Sequence, residues 1–332
     1  MAATNEQAAE TVVTAKNSVK PSEYSLGRNY LSSVRLTHQH KLFIQRQGYL
    51  LHPSIQAATG LTQNVHMPQQ PEVHTSDHDV SQTPPIRILD LATGNGIWAM
   101  DIACTFQNTI GNPPLEITAM DISSAMFPPS SLHPSNLRFL IYDIFDEVPT
   151  QHLHYFDIVH VRLITSIMVT APQRQRILHN IIRLLKPGGW LQWLEAPPDP
   201  FAPTTVGPDG SVNVTEDVDP VFQALRAYFP NYMEAFWQHN LDKFLTESGQ
   251  FRVVEVSRPP PLREMLQYET ESFLLLADEL LPYFMKNAKE RGGEDEWQRI
   301  KASVERTKAY CAKGEKWMSM GLLSVIAQKV TH

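Results

Sequence analysis

Short apolar runs alternate with helical patterns through the middle of the chain. We predict a strand for each of five runs, IRILDL (86–91), LEITAMDI (115–122), LRFLIYDI (137–144), FDIVHVRLI (156–164) and GWLQWLEA (189–196). The intervening stretches IWAMDIACTF and APQRQRILHNIIRLLK have helical spacing, and Pro187 and Gly188 should end the second. Strands that alternate with helices are typical of a parallel sheet with crossover helices.

The flanking segments predict further elements. Residues 1–20 are expected to form a disordered tail, residues 21–47 a helix capped by Ser22, and residues 61–85 a flexible loop. Downstream we predict a helix over 218–248, a sixth strand over 251–259, helices over 262–317 and a seventh strand over 318–330. The predicted organisation is therefore a helical lid at 21–60 and an α/β domain at 86–332, with helical insertions at 197–250 and 262–317.

Composition narrows the classes of protein that this sequence could be. Apolar residues make up 42% of the chain and the net charge is −7, and the basic residues near the carboxyl end are interleaved with acidic ones. That balance argues against a nucleic-acid partner. Two cysteines, no secretory signal and no run of about 18 apolar residues predict a cytoplasmic protein without a membrane partner.

A polar stretch before the first strand could suggest a metal site. It carries His66, His74 and His78 beside Asp77 and Asp79. Nothing in the sequence fixes the geometry of these side chains, so we interpret them as polar loop residues and predict no metal.

The first predicted strand leads into a glycine turn and a helix, in the sequence ILDLATGNGIW (88–98). Gly94 and Gly96 allow the backbone to approach a ligand closely. The stretch from Gly94 to Ala99 satisfies the dinucleotide fingerprint, which is weak evidence by itself. No GxxxxGK[ST] sequence occurs, which excludes Walker-type nucleotide binding. A dinucleotide and S-adenosylmethionine (SAM) remain as candidate ligands.

Three predicted strands each bring an aspartate to their carboxyl end. Asp90 would repel a pyrophosphate and attract the ammonium group of SAM. Asp121 can accept hydrogen bonds from both ribose hydroxyls, and Asp143 can accept one from the adenine amino group. Aspartates at such positions also serve as helix caps and turn formers. The three together with the glycine turn favour SAM over a dinucleotide.

The stretches RILDLATGNGIWAMDIA, MDIS, NLRFLIYDI, FDIVHVRLI and LLKPGGWLQWLEA resemble the fungal LaeA-like (UmtA-type) SAM-dependent methyltransferases of secondary metabolism. The resemblance covers residues 86–196 well, and EYSLGRNYLSSVRLTHQHKLF and LLHPSI look like the N-terminal helices of that group. The implied fold is α/β, a class I methyltransferase (Rossmann-like) seven-stranded mixed sheet with an N-terminal helical lid and helical insertions. The last two strands would form an antiparallel hairpin at its edge.

The resemblance also implies which residues hold SAM. The methionine moiety would be lined by Asp90, Ala92, Gly94 and Gly96, with Asn95 in the same turn; Asp121 and Ile122 would hold the ribose, and Asp143 and Ile144 the adenine. His160 and Arg162 would lie under the methyl group or the methionine carboxylate, and Tyr24 and Arg28 would close over the cofactor from the lid. Ala92 replaces the first glycine of the commoner DxGxGxG pattern.

Few residues are candidates for a catalytic base. We consider His133 in the loop after the second strand and His160, with Glu195 at the end of the fifth strand, and for each a structural role is the more frequent alternative. The base histidine of plant-type O-methyltransferases aligns with Ser166, which is a poor base. The [DN]PP[YF] motif of amino-methyltransferases is absent after the fourth strand.

The sequence thus predicts a SAM-dependent methyltransferase that acts on an apolar small molecule. O-methylation is favoured over N- or C-methylation, on family frequency alone. One alternative is a cyclase or pericyclase that keeps SAM without transferring its methyl group, which the missing base histidine favours. Another is a LaeA-like regulator of secondary metabolism that works through protein partners.

Overall fold

The computed structural model describes residues 26–63, 83–107, 109, 111–168, 170–197, 202–214, 237–290, 293–314 and 316–331. The predicted tail, Tyr24 and the loop histidines His66, His74 and His78 lie outside these residues, as does most of the predicted 218–248 helix.

The described residues alternate strands and helices. The strands are β1 (Ile86–Leu91), β2 (Leu115–Asp121), β3 (Leu137–Ile141), β4 (Phe156–Arg162), β5 (Leu185–Glu195), β6 (Ala202–Val206), β7 (Val212–Val214), β8 (Phe251–Ser257), β9 (Trp317–Ser319) and β10 (Leu323–Lys329). The helices are α1 (Tyr30–Gln47), α2 (Pro53–Thr59), α3 (Ile97–Phe106), α4 (Ala171–Leu184), α5 (Leu241–Glu247), α6 (Leu266–Glu290) and α7 (Glu294–Ala312). Every helix in this part of the chain is too short or too polar to span a lipid bilayer.

Seven strands form one sheet in the order β3-β2-β1-β4-β5-β10-β8. Strands β1 to β5 run parallel to one another, and β10 runs antiparallel to both β5 and β8. This is the Rossmann-like fold of class I methyltransferases that the sequence predicts. The order reverses between β1 and β4, and open α/β sheets bind ligands outside the carboxyl ends of their strands at such a point.

Alternating side chains of the central strands pack on the two faces of the sheet. On one face Leu89, Val159 and Trp193 join an apolar cluster with residues of α4 and α5. On the other face Ile88 and Ile158 pack with α2 and with the helix α3. The helices of both faces therefore bury the sheet, and the strand ends remain as the place for a ligand.

The insertions lie at the carboxyl edge of the sheet. Strand β10 begins opposite the end of β5, since Leu323 pairs with Glu195, and Ser324 pairs with Ser257 at the end of β8. The residues that precede β10 and those that follow β5 and β8 thus emerge beside the glycine turn. They build a second sheet of order β7-β6-β9 and the two helices α6 and α7, which pack on each other.

Some predicted boundaries were wrong. Helix α1 begins at Tyr30, because the Asn29 side chain caps it by accepting hydrogen bonds from the backbone of Leu31 and Ser32. The third strand ends at Ile141 rather than at 144, because Asp143 accepts a hydrogen bond from the backbone of Phe145 and turns the chain.

Three other regions also differ. The insertion predicted to be helical from 197 onward contains strands β6 and β7. The strand predicted over 318–330 is two strands, because β9 pairs with β6 in the small sheet and β10 with β5 and β8 in the large one. The fifth strand begins at Leu185, since that residue already pairs with Phe156 and the pairing is irregular over the Pro187 and Gly188 turn.

Candidate active site

The glycine turn between β1 and α3 has the backbone that its sequence suggests. Gly94 has a φ of 63° and Gly96 a φ of 76°, and Ala92 adopts a φ of 58°. This left-handed region suits glycine and strains other residues. Gly96 is also closely packed, since a Cβ atom there would lie 2.6 Å from Cζ of Phe139. The conformation of the turn therefore depends on its left-handed backbone and on the packing of Gly96 against Phe139.

Asp121 connects the end of β2 to this turn. Its Oδ2 accepts a hydrogen bond from the Gly94 backbone at 2.8 Å, and its Oδ1 accepts one from Ser123 at 3.2 Å. Burial raises the pKa of Asp121, and these hydrogen bonds and the charge of Arg28 only partly offset that effect. The predicted lid residue Arg28 therefore lies near enough to Asp121 to act on its charge.

Asp90 on β1 is bound within the protein on both carboxylate oxygens. Its Oδ1 lies 2.8 Å from Nδ1 of His160, and its Oδ2 accepts a hydrogen bond from the Thr93 hydroxyl. The ring of His160 stacks on Trp98 with a centroid separation of 3.8 Å and an angle of 5° between the planes. Burial lowers the pKa of His160, so its imidazole is neutral and donates through Nδ1 to the carboxylate.

Helix α1 lies directly over the glycine turn. The Asn95 amide donates to the Ser33 carbonyl at 3.0 Å and to the Thr37 hydroxyl at 2.9 Å. A Cβ atom on Gly94 would lie 3.2 Å from a methyl carbon of Leu36. The helix is therefore attached to the turn by named hydrogen bonds and packs against its backbone.

A second set of contacts joins α1 to the end of β4. Arg162 donates from its guanidinium to Nδ1 of His40 at 2.9 Å, and Nε2 of His40 lies 2.8 Å from Asp101 on α3. Lys41 also donates to Asp101, at 2.5 Å. His40 is fully buried between these elements.

His133 is placed away from His160. Its Nε2 donates to the Pro128 carbonyl at 2.8 Å, and its ring packs on Phe139 of the edge strand β3 with centroids 4.5 Å apart. His160 lies on β4, on the other side of β1 from this edge. The structure therefore does not bring the two predicted catalytic histidines together.

The remaining site candidates divide between core and loop. Ile144 is buried in the apolar cluster that contains Leu89, whereas Ile122 is partly buried after β2. Asp143 uses one oxygen to fix its own turn. Glu195 is buried at the end of β5 and accepts hydrogen bonds from the Trp193 indole at 2.9 Å and the Ile164 backbone at 3.1 Å.

The sequence analysis did not identify the residues that hold the predicted site residues in place through hydrogen bonds. These are Thr93 beside Asp90, and Ser33, Thr37 and His40 on α1, with Asp101 on α3. One signal was available, because Ser33, Thr37 and His40 follow a helical spacing that places polar side chains on one face. Among the described residues, no three His, Cys, Asp or Glu side chains are grouped to hold a metal.

The site thus combines a glycine turn, an aspartate bound to it from the end of β2, and a switch point in the strand order of the sheet. Residues 88–189 match the family model described as a methyltransferase domain. This stretch is therefore similar to a methyltransferase domain, and the order of the strands in the sheet agrees with that similarity.

Several fungal proteins are similar to this chain over that domain. Methyltransferase grgD of Penicillium sp. is 33% identical over 131 residues, which are 37% of this chain and 45% of that protein. N-methyltransferase verN of Clonostachys rogersoniana is 33% identical over 108 residues, which are 32% of this chain and 36% of that protein. N-methyltransferase gliN of Aspergillus fumigatus is 33% identical over 113 residues, 34% of this chain and 37% of that protein. The chain thus spans less than half the length of these relatives.

Proposed function

We propose that this protein transfers the methyl group of SAM to a small, largely apolar molecule. The observation that carries the proposal is the contact of Asp121 with the backbone of Gly94 at the carboxyl ends of β1 and β2. It holds a carboxylate beside a glycine turn at the point where the strand order reverses, which is where this fold binds its ligands.

The described contacts support a role for each end of the cofactor site. Asp121, next to the turn, would accept the ribose hydroxyls, and the carboxyl of Asp143 the adenine amino group. Ala92, Gly94, Asn95 and Gly96 would follow the methionine moiety, with Asp90 facing its ammonium group. Arg162 is a cation and would be repelled by the sulfonium, so it would face the methionine carboxylate.

When bound, SAM supplies an electrophilic methyl group on a sulfonium that is already a good leaving group. The protein then has to align the acceptor with that bond and exclude water. Helix α1, attached to Asn95, would cover the cofactor side, and α6, α7 and the small sheet would enclose the acceptor side. We propose domain boundaries on the same basis, with the helical lid at 21–60 and the α/β domain at 86–332.

The acceptor atom that the observations favour is nitrogen. The oxygen predicted from the sequence rested on family frequency, whereas verN and gliN carry the printed name N-methyltransferase. The candidate bases are also occupied, since His160 holds Asp90 and His133 binds a carbonyl. A hydroxyl acceptor needs a base to remove its proton during transfer, whereas a neutral amine attacks with its free electron pair.

We also propose that the protein belongs to the LaeA-like (UmtA-type) group and that its acceptor comes from secondary metabolism. They are supported by the fungal relatives and by α1, whose sequence resembles the N-terminal helices of that group. A pericyclase that only holds SAM, and a regulator that acts through partners, are the competing functions. Formation of S-adenosylhomocysteine separates both from a methyltransferase.

The first test is calorimetry of the full chain with SAM. We expect binding in wild type and at least tenfold weaker binding in Asp121→Asn, because a charged acceptor of the ribose hydroxyls is lost. Glu116→Gln is the matched control, since Glu116 lies near the other end of β2 and pairs with Arg87 on the surface. Absence of binding at millimolar SAM would remove the cofactor assignment.

The second test follows the methyl group itself. Incubation with SAM and a panel of small apolar amines and phenols should give S-adenosylhomocysteine in equal amount to methylated amine. Methylation of the phenols alone would return the acceptor to oxygen. Conversion of a substrate without S-adenosylhomocysteine would instead support the cyclase.

A further inference from the structure

One buried side chain of α1 reaches the cofactor site without being part of it. His40 is fully buried, and its two ring nitrogens contact residues of two other elements. Nδ1 faces Arg162 at the end of β4, and Nε2 faces Asp101 on α3. A histidine bound on both sides in this way has a fixed ring orientation.

The partners also fix the proton. The guanidinium of Arg162 can only donate, so Nδ1 of His40 accepts, and the ring proton is on Nε2 and directed to the Asp101 carboxylate. Burial lowers the pKa of His40, and the charges of Arg162 and Lys41 act in the same direction, against the hydrogen bond and charge of Asp101. The neutral ring that this tautomer needs is therefore the form that the environment favours.

Arg162 depends on this contact for its position. In the described part of the chain, His40 is the one hydrogen-bond acceptor that Arg162 has. Arginine has a long side chain, so binding a ligand normally costs conformational entropy. That cost is small only if another contact already fixes the direction of the guanidinium. Arg162 is partly buried and lies one strand away from Asp90, at the methionine end of the proposed cofactor site.

We propose that His40 is a positioning residue for SAM binding, which holds the Arg162 guanidinium toward the methionine carboxylate. The proposal rests on the proposed function, since it needs SAM in the site. It assigns α1 a second task besides covering the glycine turn, because α1 sets the direction of a charge that binds the cofactor. Protonation of His40 would remove the acceptor and place a second cation against Arg162, so SAM affinity should fall as the ring becomes charged.

Charged groups lie on both sides of the His40 ring. Asp101 and Lys41 lie at its Nε2 side, and Arg162, His160 and Asp90 lie toward the sheet. The carboxylates of α6 that approach α1, Glu279 and Glu269, are each paired with an arginine of α1, Arg35 and Arg46. Burial raises the pKa of Asp121, in contrast to that of His40. Protonation of Asp121 would also weaken SAM binding, so a variant without a titrating ring at position 40 is needed to isolate the effect of His40.

The experiment titrates SAM into the full chain by calorimetry between pH 5.5 and 8, with three variants. His40→Leu should bind SAM about tenfold more weakly at pH 8, because it removes the acceptor of a charged hydrogen bond. His40→Asn should retain most of the affinity, since its amide oxygen falls near the position of Nδ1. It should also lose less affinity than wild type on acidification. His38→Leu is the control, because His38 lies on the same helix and contacts Tyr268 instead.

A double variant separates positioning from general damage to the fold. Once Arg162→Gln has removed the guanidinium, adding His40→Leu should weaken SAM binding no further. Additive losses, or wild-type affinity in His40→Leu, would overturn the role of His40 while leaving SAM binding by the wild type intact. If His40→Leu does not fold, a loss of SAM affinity in His40→Asn at pH 8 as large as that in Arg162→Gln would overturn it, because the amide oxygen should replace the Nδ1 acceptor. Failure of the wild type to bind SAM would overturn the proposed function and this inference together.

Discussion

Nδ1 of His160 lies 2.8 Å from Oδ1 of Asp90, across the neighbouring strands β4 and β1, where the two residues are direct register partners. Both side chains are almost completely buried, and the imidazole also stacks on Trp98. This contact connects the strand that starts the glycine turn to the strand that ends at Arg162. It gives His160 a structural partner at the position where the sequence suggested a base.

Replacement of His160 should therefore affect stability strongly. We expect His160→Leu to lower the free energy of unfolding by about 3 kcal/mol, because the buried Asp90 carboxyl group loses one of its two hydrogen-bond partners. His133→Leu is the matched control and should cost about 1 kcal/mol, since His133 is only partly buried and makes one hydrogen bond to a carbonyl. Urea unfolding of the three proteins measures both values.

Kinetics of the same two variants test the alternative. If either histidine were the catalytic base, its replacement would lower kcat by about 10² to 10⁴ with SAM affinity unchanged. We expect neither variant to show that pattern at temperatures where it remains folded. A large loss of kcat in His133→Leu would mean that its loop reaches the acceptor, contrary to its packing on Phe139.

The sheet could be predicted from the sequence because the patterns that indicate each strand lie within the strand and its immediate neighbours in the chain. Short apolar runs, the helical stretches between them and the proline and glycine residues that end them predicted all seven strands of the large sheet. The glycine turn and its aspartates were equally local, since the turn needs left-handed backbone and the strand ends meet at one edge. Asp121 and Gly94 were thus found together before their hydrogen bond was seen.

What the sequence did not reveal depends on contacts between distant segments. The apolar run before the carboxyl end is continuous, and nothing in it shows that β9 pairs with one sheet and β10 with another. His40 and Arg162 are 122 positions apart, so neither predicts the burial of the other. The strands β6 and β7 likewise form only by pairing outside the main sheet.

The left-handed glycines offer a test of how closely the cofactor turn is packed. Gly96→Ala should destabilise the protein by about 1 kcal/mol for its positive φ and by about 1 to 3 kcal/mol more for overlap with the Phe139 ring. Gly48→Ala is the matched control, since Gly48 has a φ of 82° and no atom within 4 Å of its added Cβ. Urea unfolding should show the larger loss at Gly96.

A further measurement on these glycine variants links packing to the site. SAM affinity should fall in Gly96→Ala and remain unchanged in Gly48→Ala, because only the former displaces the start of α3. Equal destabilisation of the two variants would show that the Phe139 ring moves aside freely, and that contact would then not fix the turn.

The buried carboxyl group of Glu195, at the end of β5, makes the stability of the protein depend on pH. Burial raises the pKa of Glu195 to about 7, against the hydrogen bonds from Trp193 and Ile164 that favour the charged form. A folded state with the higher pKa binds the proton more tightly than the unfolded chain, whose glutamate has its ordinary value near 4.5. Stability from this group is therefore complete below about pH 4.5 and is lost as the pH rises toward 7, by a total of about 3 kcal/mol.

Glu195→Gln should remove that dependence, because the amide keeps an oxygen for the Ile164 backbone and cannot ionise. Urea unfolding at intervals from pH 5 to 8 should show the variant gaining on wild type as the pH rises, with the largest difference at pH 8. Glu271→Gln is the control, since Glu271 is exposed on α6 and bonds only Gln267 among the described residues. A difference between Glu195→Gln and wild type that stays constant across this range would mean that Glu195 is already charged in the folded protein, and that its buried hydrogen bonds outweigh the cost of its burial.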